Sequence, residues 1–271
     1  MRCAVLGSPV GHSLSPVLHR AAYAALGLRD WSYEAVECDE HGLAGLLKEP
    51  WNGLSLTMPL KRVALRLVDT CSELAVDVGG ANTVLFRGGR LHGDNTDVHG
   101  IVMALTEVGI EVPASVLVLG GGATAASALA AVARLGADHV TLAVRTPSRA
   151  GEAAAVGERF GLSVTLRSLD GLRELLPAGL VISTLPGAGA DPYANLVADS
   201  CPAVFDVTYA PWPTALGVAV RRAGGTVVGG FPMLLHQAVR QVELMTGRTE
   251  VPVDAMRAAG EAELAARAGT T

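Results

Sequence analysis

Short apolar runs alternate with helical patterns along the whole chain. In the first hundred residues strands are predicted at 2–6, 31–37 and 53–56, with helices near 16–26, 42–47 and 61–68. The stretch 79–100 is rich in Gly, Asn and Asp and reads as loops around one short strand at 83–86. From residue 115 the rhythm tightens. Six runs suited to buried strands fall at 115–119, 139–144, 163–166, 180–183, 203–207 and 226–228, and most gaps between them carry helical patterns, such as 125–135 and 214–223. That alternation predicts a parallel, doubly wound sheet whose six strands match two mononucleotide-binding halves. In the tail Leu234, Leu235, Ala238, Val239, Val242 and Met245 share one helical face, Gly247 is a natural stop, and a second helix follows Pro252.

The expected fold class is therefore α/β. An amino-terminal α/β domain (residues 1–100), completed by C-terminal helices (238–271), carries an inserted Rossmann domain (101–237). A length of 271 residues allows two modest domains with real cores. Half the residues are hydrophobic but only 4% aromatic, so those cores are built from Ala, Val and Leu. The formal charge of −5 gives no electrostatic reason to expect a nucleic acid or membrane partner, and any anion must be caught locally. Neither a signal-peptide pattern nor an apolar stretch of bilayer length is present. Four scattered cysteines without a CxxC pair point to reduced thiols and a cytoplasmic protein. The seven histidines lack metal-ligand spacing, so no metal is expected.

The run 116–119 leads into Gly120-Gly121-Gly122-Ala123-Thr124-Ala125 and then a helical pattern. A GxGxxA directly after a strand suits a dinucleotide. Glycines let the backbone approach the pyrophosphate, and the helix start offers N–H donors and a positive dipole. The plain alternative is a glycine-rich turn that holds no ligand. The next strand ends in Val144, and Arg145-Thr146-Pro147-Ser148-Arg149 follows without an acid. A carboxylate there would favour NAD; two guanidinium groups favour the 2′-phosphate of NADP, unless they are only solvated surface cations.

Nearer the amino terminus, Ser13-Leu14-Ser15-Pro16 opens a helix, with Ser15 as the expected N-cap and Pro16 at N1. Two hydroxyls at a positive helix end suit a small carboxylate, or simply cap the helix. Thr57-Met58-Pro59-Leu60-Lys61 places a lysine at a helix start, where the dipole favours its neutral form and proton transfer; an ordinary exposed lysine is the alternative. Asp97 either caps the helix it enters or sits beside Lys61 and orients it. Asn82 either offers an amide to a hydroxyl or makes a turn.

Taken in order, these segments closely resemble the shikimate dehydrogenase family. The matching runs are Gly7 to Pro16, Thr57 to Lys61, Gly80 to Thr83, Asp94 to Asp97, the glycine loop, Arg145-Thr146, Tyr209 to Thr214 and Gly230 to Gln237. They span nearly the whole chain. The resemblance implies that Ser13 and Ser15 hold the substrate carboxylate, and that Thr57, Lys61, Asn82, Asp97 and Gln237 contact its ring hydroxyls. It makes Lys61 the acid/base with Asp97 as partner, sets Tyr209 facing the substrate, and lines the nicotinamide pocket with Val207 and Gly230. A packing Tyr209 and a Gln237 on an exposed polar face are the plain readings of those two. Four positions depart from the common pattern: Ser55 for Asn, Val144 for Asn, Ala123 for Gly and Leu185 for Thr.

The implied activity is reversible, NADP-dependent reduction of 3-dehydroshikimate to shikimate, by a monomer or homodimer. Rivals are a quinate/shikimate dehydrogenase using NAD, against which Arg145 and Arg149 argue, and an aminoshikimate enzyme. A non-catalytic NADP-binding sensor would need the glycine loop but has no use for Lys61 with Asp97.

Overall fold

A computed structural model describes residues 1–269, the side chain of Arg149 excepted. The chain forms two compact units, Met1–Asp97 with Leu234–Thr271, and Val98–Met233. The chain leaves the first unit at Asp97 and re-enters it at Leu234, so Gln237 belongs to the first unit rather than to the inserted one. Both crossings fall inside helices, Asp97–Glu107 and Gly230–Thr246, where no change in composition marks them.

In the first unit the strands are β1 (Arg2–Gly7), β2 (Ser32–Glu37), β3 (Gly53–Leu56), β4 (Thr70–Cys71), β5 (Thr83–Arg87) and β6 (Arg90–Asp94), in the order β2-β1-β3-β5-β6-β4. β1 runs parallel to β2 and β3, whereas β5 is antiparallel to β3 and β6. The region expected to be mainly loop thus holds a hairpin. Gly88 (φ 57°) and Gly89 (φ 74°) make its two-residue turn, a conformation that needs positive φ at both positions. The helix Glu73–Val78 also departs from expectation. Its signals are its ends: Ser72 Oγ accepts from the Ala75 N–H, and Gly79 (φ 73°) closes it. One face of the sheet buries Leu6, Trp51, Leu54, Leu56 and Val84. The helices Ser15–Ala25 and Val253–Ala268 pack on each other.

The second unit contains β7 (Val116–Leu119), β8 (His139–Val144), β9 (Ser163–Ser168), β10 (Leu180–Ser183), β11 (Ala203–Asp206) and β12 (Thr226–Val228). Their order, β12-β11-β10-β7-β8-β9, and uniformly parallel pairing make the expected doubly wound sheet. β7 and β10 are buried at every position, which is why they read as continuous apolar runs. The helix Ala123–Arg134 buries Ala125, Ala126, Ala128, Ala130 and Ala131 with Leu129 and Val132. Its small side chains suit close packing between sheet and the neighbouring helix Gly151–Arg159.

Candidate active site

Strand direction assembles the first unit's polar residues at one edge of its sheet. β1 and β3 are parallel, so both end there; β5 starts there and β6 returns to it. The register confirms the alignment, pairing Val5 with Ser55, Ser55 with Thr83, and Thr83 with Asp94. Segments leaving β1 (Ser13, Ser15), β3 (Thr57, Lys61) and β6 (Thr96, Asp97) therefore share this edge with Asn82, which enters β5. The Ala81 N–H donates to the Lys61 carbonyl at 2.9 Å, which locks the start of β5 to the lysine backbone.

Lys61 Nζ donates to Asp97 Oδ2 at 2.6 Å, with the two side chains 17% and 6% exposed. Asp97 Oδ1 accepts from Asn82 Nδ2 at 2.9 Å. The orientation of Asn82 follows from a backbone donor: the Thr96 N–H lies 2.8 Å from Oδ1, so the amide nitrogen must face the carboxylate. Gln237 Oε1 sits 3.3 Å from the same Asn82 nitrogen, and Gln237 Nε2 donates to the Leu234 carbonyl at 2.9 Å. Gln237 is therefore a buried member of the cluster and not part of an exposed face. Lys61, Asn82, Asp97 and Gln237 come together as one hydrogen-bonded group. Ser13 and Thr57 are half-buried and Ser15 is buried on the adjoining segments.

Two local expectations are corrected. Ser15 does not cap its helix; Leu14 holds the N-cap position, and the Ser15 N–H donates to Ser13 Oγ at 3.2 Å. Pro16 stands at the second helical position, and the N-cap residue Leu14 supplies no side-chain cap. The helix bearing Lys61, Leu60–Ala64, is a single turn, so Lys61 stands in its first and last turn alike. The expected helix 61–68 is thus shorter, and Lys61 is held by its hydrogen bond to Asp97.

In the second unit Gly120 (φ 108°) turns out of β7, and its N–H donates to the Ala143 carbonyl at 2.9 Å. A Cβ on Gly120 would strike the Thr184 hydroxyl, whereas one on Gly122 would meet no described atom within 4 Å. Gly122 is the N-cap of the helix Ala123–Arg134 and supplies no side-chain cap. The first N–H groups there suit an anion, as a pyrophosphate requires. Gly121, Ala123 and Thr124 complete the loop. Arg145 and Thr146 are exposed just beyond β8, with no acid before Arg149, whose side chain lies outside the described residues. The residues present fit NADP. Val207 and Tyr209 follow β11, both half-buried. Gly230 opens the long helix against Val207, where a Cβ would fall on the Val207 carbonyl.

The chain is similar to known proteins of one family. Residues 5–84 match the family model described as "Shikimate dehydrogenase substrate binding domain", and residues 230–259 match "Shikimate 5'-dehydrogenase C-terminal domain". The chain is 41% identical over 252 residues to the shikimate dehydrogenase (NADP(+)) of Thermus thermophilus, covering 91% of this chain and 93% of that one. The corresponding protein of Caulobacter vibrioides is 37% identical over 261 residues, covering 92% and 90%. The chain belongs to the shikimate dehydrogenase family. The solved shikimate dehydrogenase of Mycobacterium tuberculosis superposes with a TM-score of 0.90 at 41% identity, covering 96% of this chain and 99% of that one. A Thermus thermophilus structure in complex with NADP(H) and shikimate gives 0.80 at 34% identity, covering 96% and 98%.

Within this shikimate dehydrogenase fold, the cluster takes in several polar residues to which the sequence reading gave no site role. Thr96, Thr83, Ser55, Gln241 and Tyr33 are buried behind the Lys61–Asp97 pair and hydrogen-bonded to one another or to Asn82. Gln241 could have been found from its i, i+4 spacing to Gln237, which puts both amides on one helical face. In the second unit Asp206 is buried at the end of β11, and burial raises its carboxyl above the usual range. It accepts from the Thr208 N–H at 3.1 Å and the Thr214 hydroxyl at 2.8 Å, bracing the loop that carries Tyr209.

Proposed function

We propose that this protein interconverts 3-dehydroshikimate and shikimate with NADP, as its family's name describes. The observation that carries the reading is the Lys61–Asp97–Asn82 cluster, which holds one ammonium at 2.6 Å from a buried carboxylate at a sheet edge lined by hydroxyls and amides. The first unit would bind the substrate and the second NADP.

NADP, when bound, supplies or takes up the hydride. The chain's own part is to bind and orient the substrate and to move one proton. Ser13 and Ser15 would hold the carboxylate with hydroxyl donors, and Thr57, Asn82 and Gln237 the ring hydroxyls. As the ring carbonyl is reduced, negative charge grows on its oxygen; protonated Lys61 stabilises that oxygen and donates the proton. In the oxidative direction the neutral amine takes it back. Asp97 keeps Lys61 in place and balances the charge of its protonated form. Gly120, Gly121, Gly122, Ala123 and Thr124 would cradle the pyrophosphate, with Arg145, Thr146 and Arg149 toward the 2′-phosphate and Val207 and Gly230 toward the nicotinamide. A cytoplasmic monomer or homodimer goes with this reading; the four cysteines are all unpaired thiols, which suits a reducing compartment.

The test is turnover of shikimate and of quinate, each with NADP and with NAD, read by absorbance of the reduced nicotinamide. Shikimate with NADP is expected to be the preferred pair by at least tenfold in kcat/KM. No turnover with any pair would leave a binding protein instead, and preference for quinate with NAD would favour the rival dehydrogenase.

A further inference from the structure

Behind the candidate site runs a chain of buried hydrogen bonds whose direction can be deduced at every step. Its starting point is Asn82, whose Oδ1 is fixed toward the Thr96 N–H at 2.8 Å. Oδ1 can only accept, so the Thr83 hydroxyl, 2.9 Å away, must donate to it. Thr83 Oγ1 then accepts from Gln241 Nε2 at 3.0 Å, and the same nitrogen donates to the Asn82 carbonyl at 3.1 Å. Gln241 Oε1 consequently faces Ser55, whose hydroxyl donates at 2.8 Å, leaving Ser55 Oγ to accept from the Tyr33 hydroxyl at 2.5 Å. Tyr33, Ser55, Gln241, Thr83 and Asn82 are each no more than 3% exposed.

All the donors in this chain point one way, from Tyr33 toward the Asp97 carboxylate that holds Lys61. The far end has a second connection: the Tyr33 hydroxyl also neighbours that of Ser15. A buried network with every member satisfied fixes one arrangement, because reversing Asn82 would set its NH2 against the Thr96 N–H and reversing Gln241 would set its oxygen against the Asn82 carbonyl. The three residues that complete it come from β2, β3 and the long C-terminal helix, 22 and 186 positions apart in sequence.

We propose that Tyr33, Ser55 and Gln241 are positioning residues for the proton-transfer pair, locking the Asn82 amide so that Asp97 and Lys61 keep one geometry. The inference rests on the reading of Lys61 as the acid/base. It assigns no contact with substrate to any of the three. The Ser55 position, where the family commonly has Asn, becomes part of this chain's own solution for anchoring Asn82 through Gln241.

The test uses the full-length protein and its Tyr33→Phe, Ser55→Ala and Gln241→Met variants. Each is expected to lower kcat for shikimate oxidation roughly fivefold to tenfold, with KM for NADP within twofold of wild type. The Ser55→Ala, Gln241→Met double variant is expected to be no slower than the worse single variant, since both break the same chain. In parallel, acetylation of Lys61 by acetic anhydride, followed by mass spectrometry on the free protein, is expected to speed up severalfold in Gln241→Met. That readout needs no turnover. If the wild type is inactive with shikimate, the proposed function fails, and the labelling rates alone decide whether the chain holds Lys61. Unchanged kcat and unchanged labelling in Tyr33→Phe would overturn the inference, as would losses that merely follow weaker NADP binding or a lower melting temperature. Tyr33→Phe removes one oxygen at the far end of the network, so it decides the matter even if Gln241→Met does not fold.

Discussion

Lys61 and Asp97, 36 positions apart in sequence, meet at 2.6 Å because β5 and β6 form a hairpin whose open end faces the turn after β3. Lys61→Ala removes the proton donor and leaves the second unit's nucleotide loop untouched. Its kcat is expected to fall by roughly 10²–10⁴ with the dissociation constant for NADP nearly unchanged. Steady-state kinetics with fluorescence titration of the nucleotide would check both halves. Wild-type turnover in this variant would remove Lys61 from the chemistry.

Arg145 is exposed beyond β8, on a segment free of acids. Charge-assisted bonds to a phosphate are worth about 1.5–3 kcal/mol each. Arg145→Ala should therefore raise KM for NADP by roughly tenfold or more and leave KM for NAD within twofold. Equal effects on the two cofactors would show that Arg145 does not read the 2′-phosphate.

Tyr209 stands on the loop after β11, a loop braced by Asp206. Removing its hydroxyl in Tyr209→Phe is expected to raise KM for shikimate about fivefold to tenfold if it serves the substrate, as its family position implies. A packing role would leave KM unchanged and lower thermal stability instead.

His19 is fully buried, stacked on Tyr33 with ring centroids 3.9 Å apart and edge-on to Tyr23. Its Nδ1–H donates to the Ser15 carbonyl at 2.9 Å, while Nε2 has no partner among the described residues. Desolvation lowers its pKa from 6.5 to about 4, against the smaller raising effect of the Ser15 carbonyl. A depressed histidine pKa means that the unfolded chain binds the proton more readily. The stabilisation is thus complete above about pH 6.5 and is lost as pH falls toward 4. Between about pH 7 and pH 4.5 the linkage amounts to roughly 2.5 kcal/mol. Urea unfolding at those two pH values should show a loss smaller by about that amount in His19→Leu than in wild type. Parallel losses would mean that His19 is not the group responsible.

Gly230 sits in the first turn of a 17-residue helix, where exchange to Ala would ordinarily gain about 1 kcal/mol. Here a Cβ would fall on the backbone of Val207 and Thr208, which cannot swing aside as a side chain can. Gly230→Ala is expected to destabilise by about 1–3 kcal/mol, the cost of overpacking. Thermal unfolding gives the sign directly, and a stabilised variant would show that the close approach is soft.

Local pattern determined a large part of this protein. The six parallel strands of the second unit were legible because strands buried on both faces must be uniformly apolar, and the glycine loop because only glycine tolerates the turn at Gly120. The identities of Lys61, Asn82, Asp97 and Gln237 stood out through motifs shared with a family. Two features were invisible in the sequence. The crossings between units run through helices, and the strand β6 that completes the hairpin with β5 lies in a stretch dominated by loop-forming residues. Tertiary structure alone decided that Tyr33, Ser55 and Gln241 join the cluster, since hydrogen bonds across 22 and 186 positions depend on strand register and helix docking, which no local spacing encodes. Ser15 shows the same division: its hydroxyl and the neighbouring proline marked a helix start, but only the folded backbone could settle which serine accepts the first N–H.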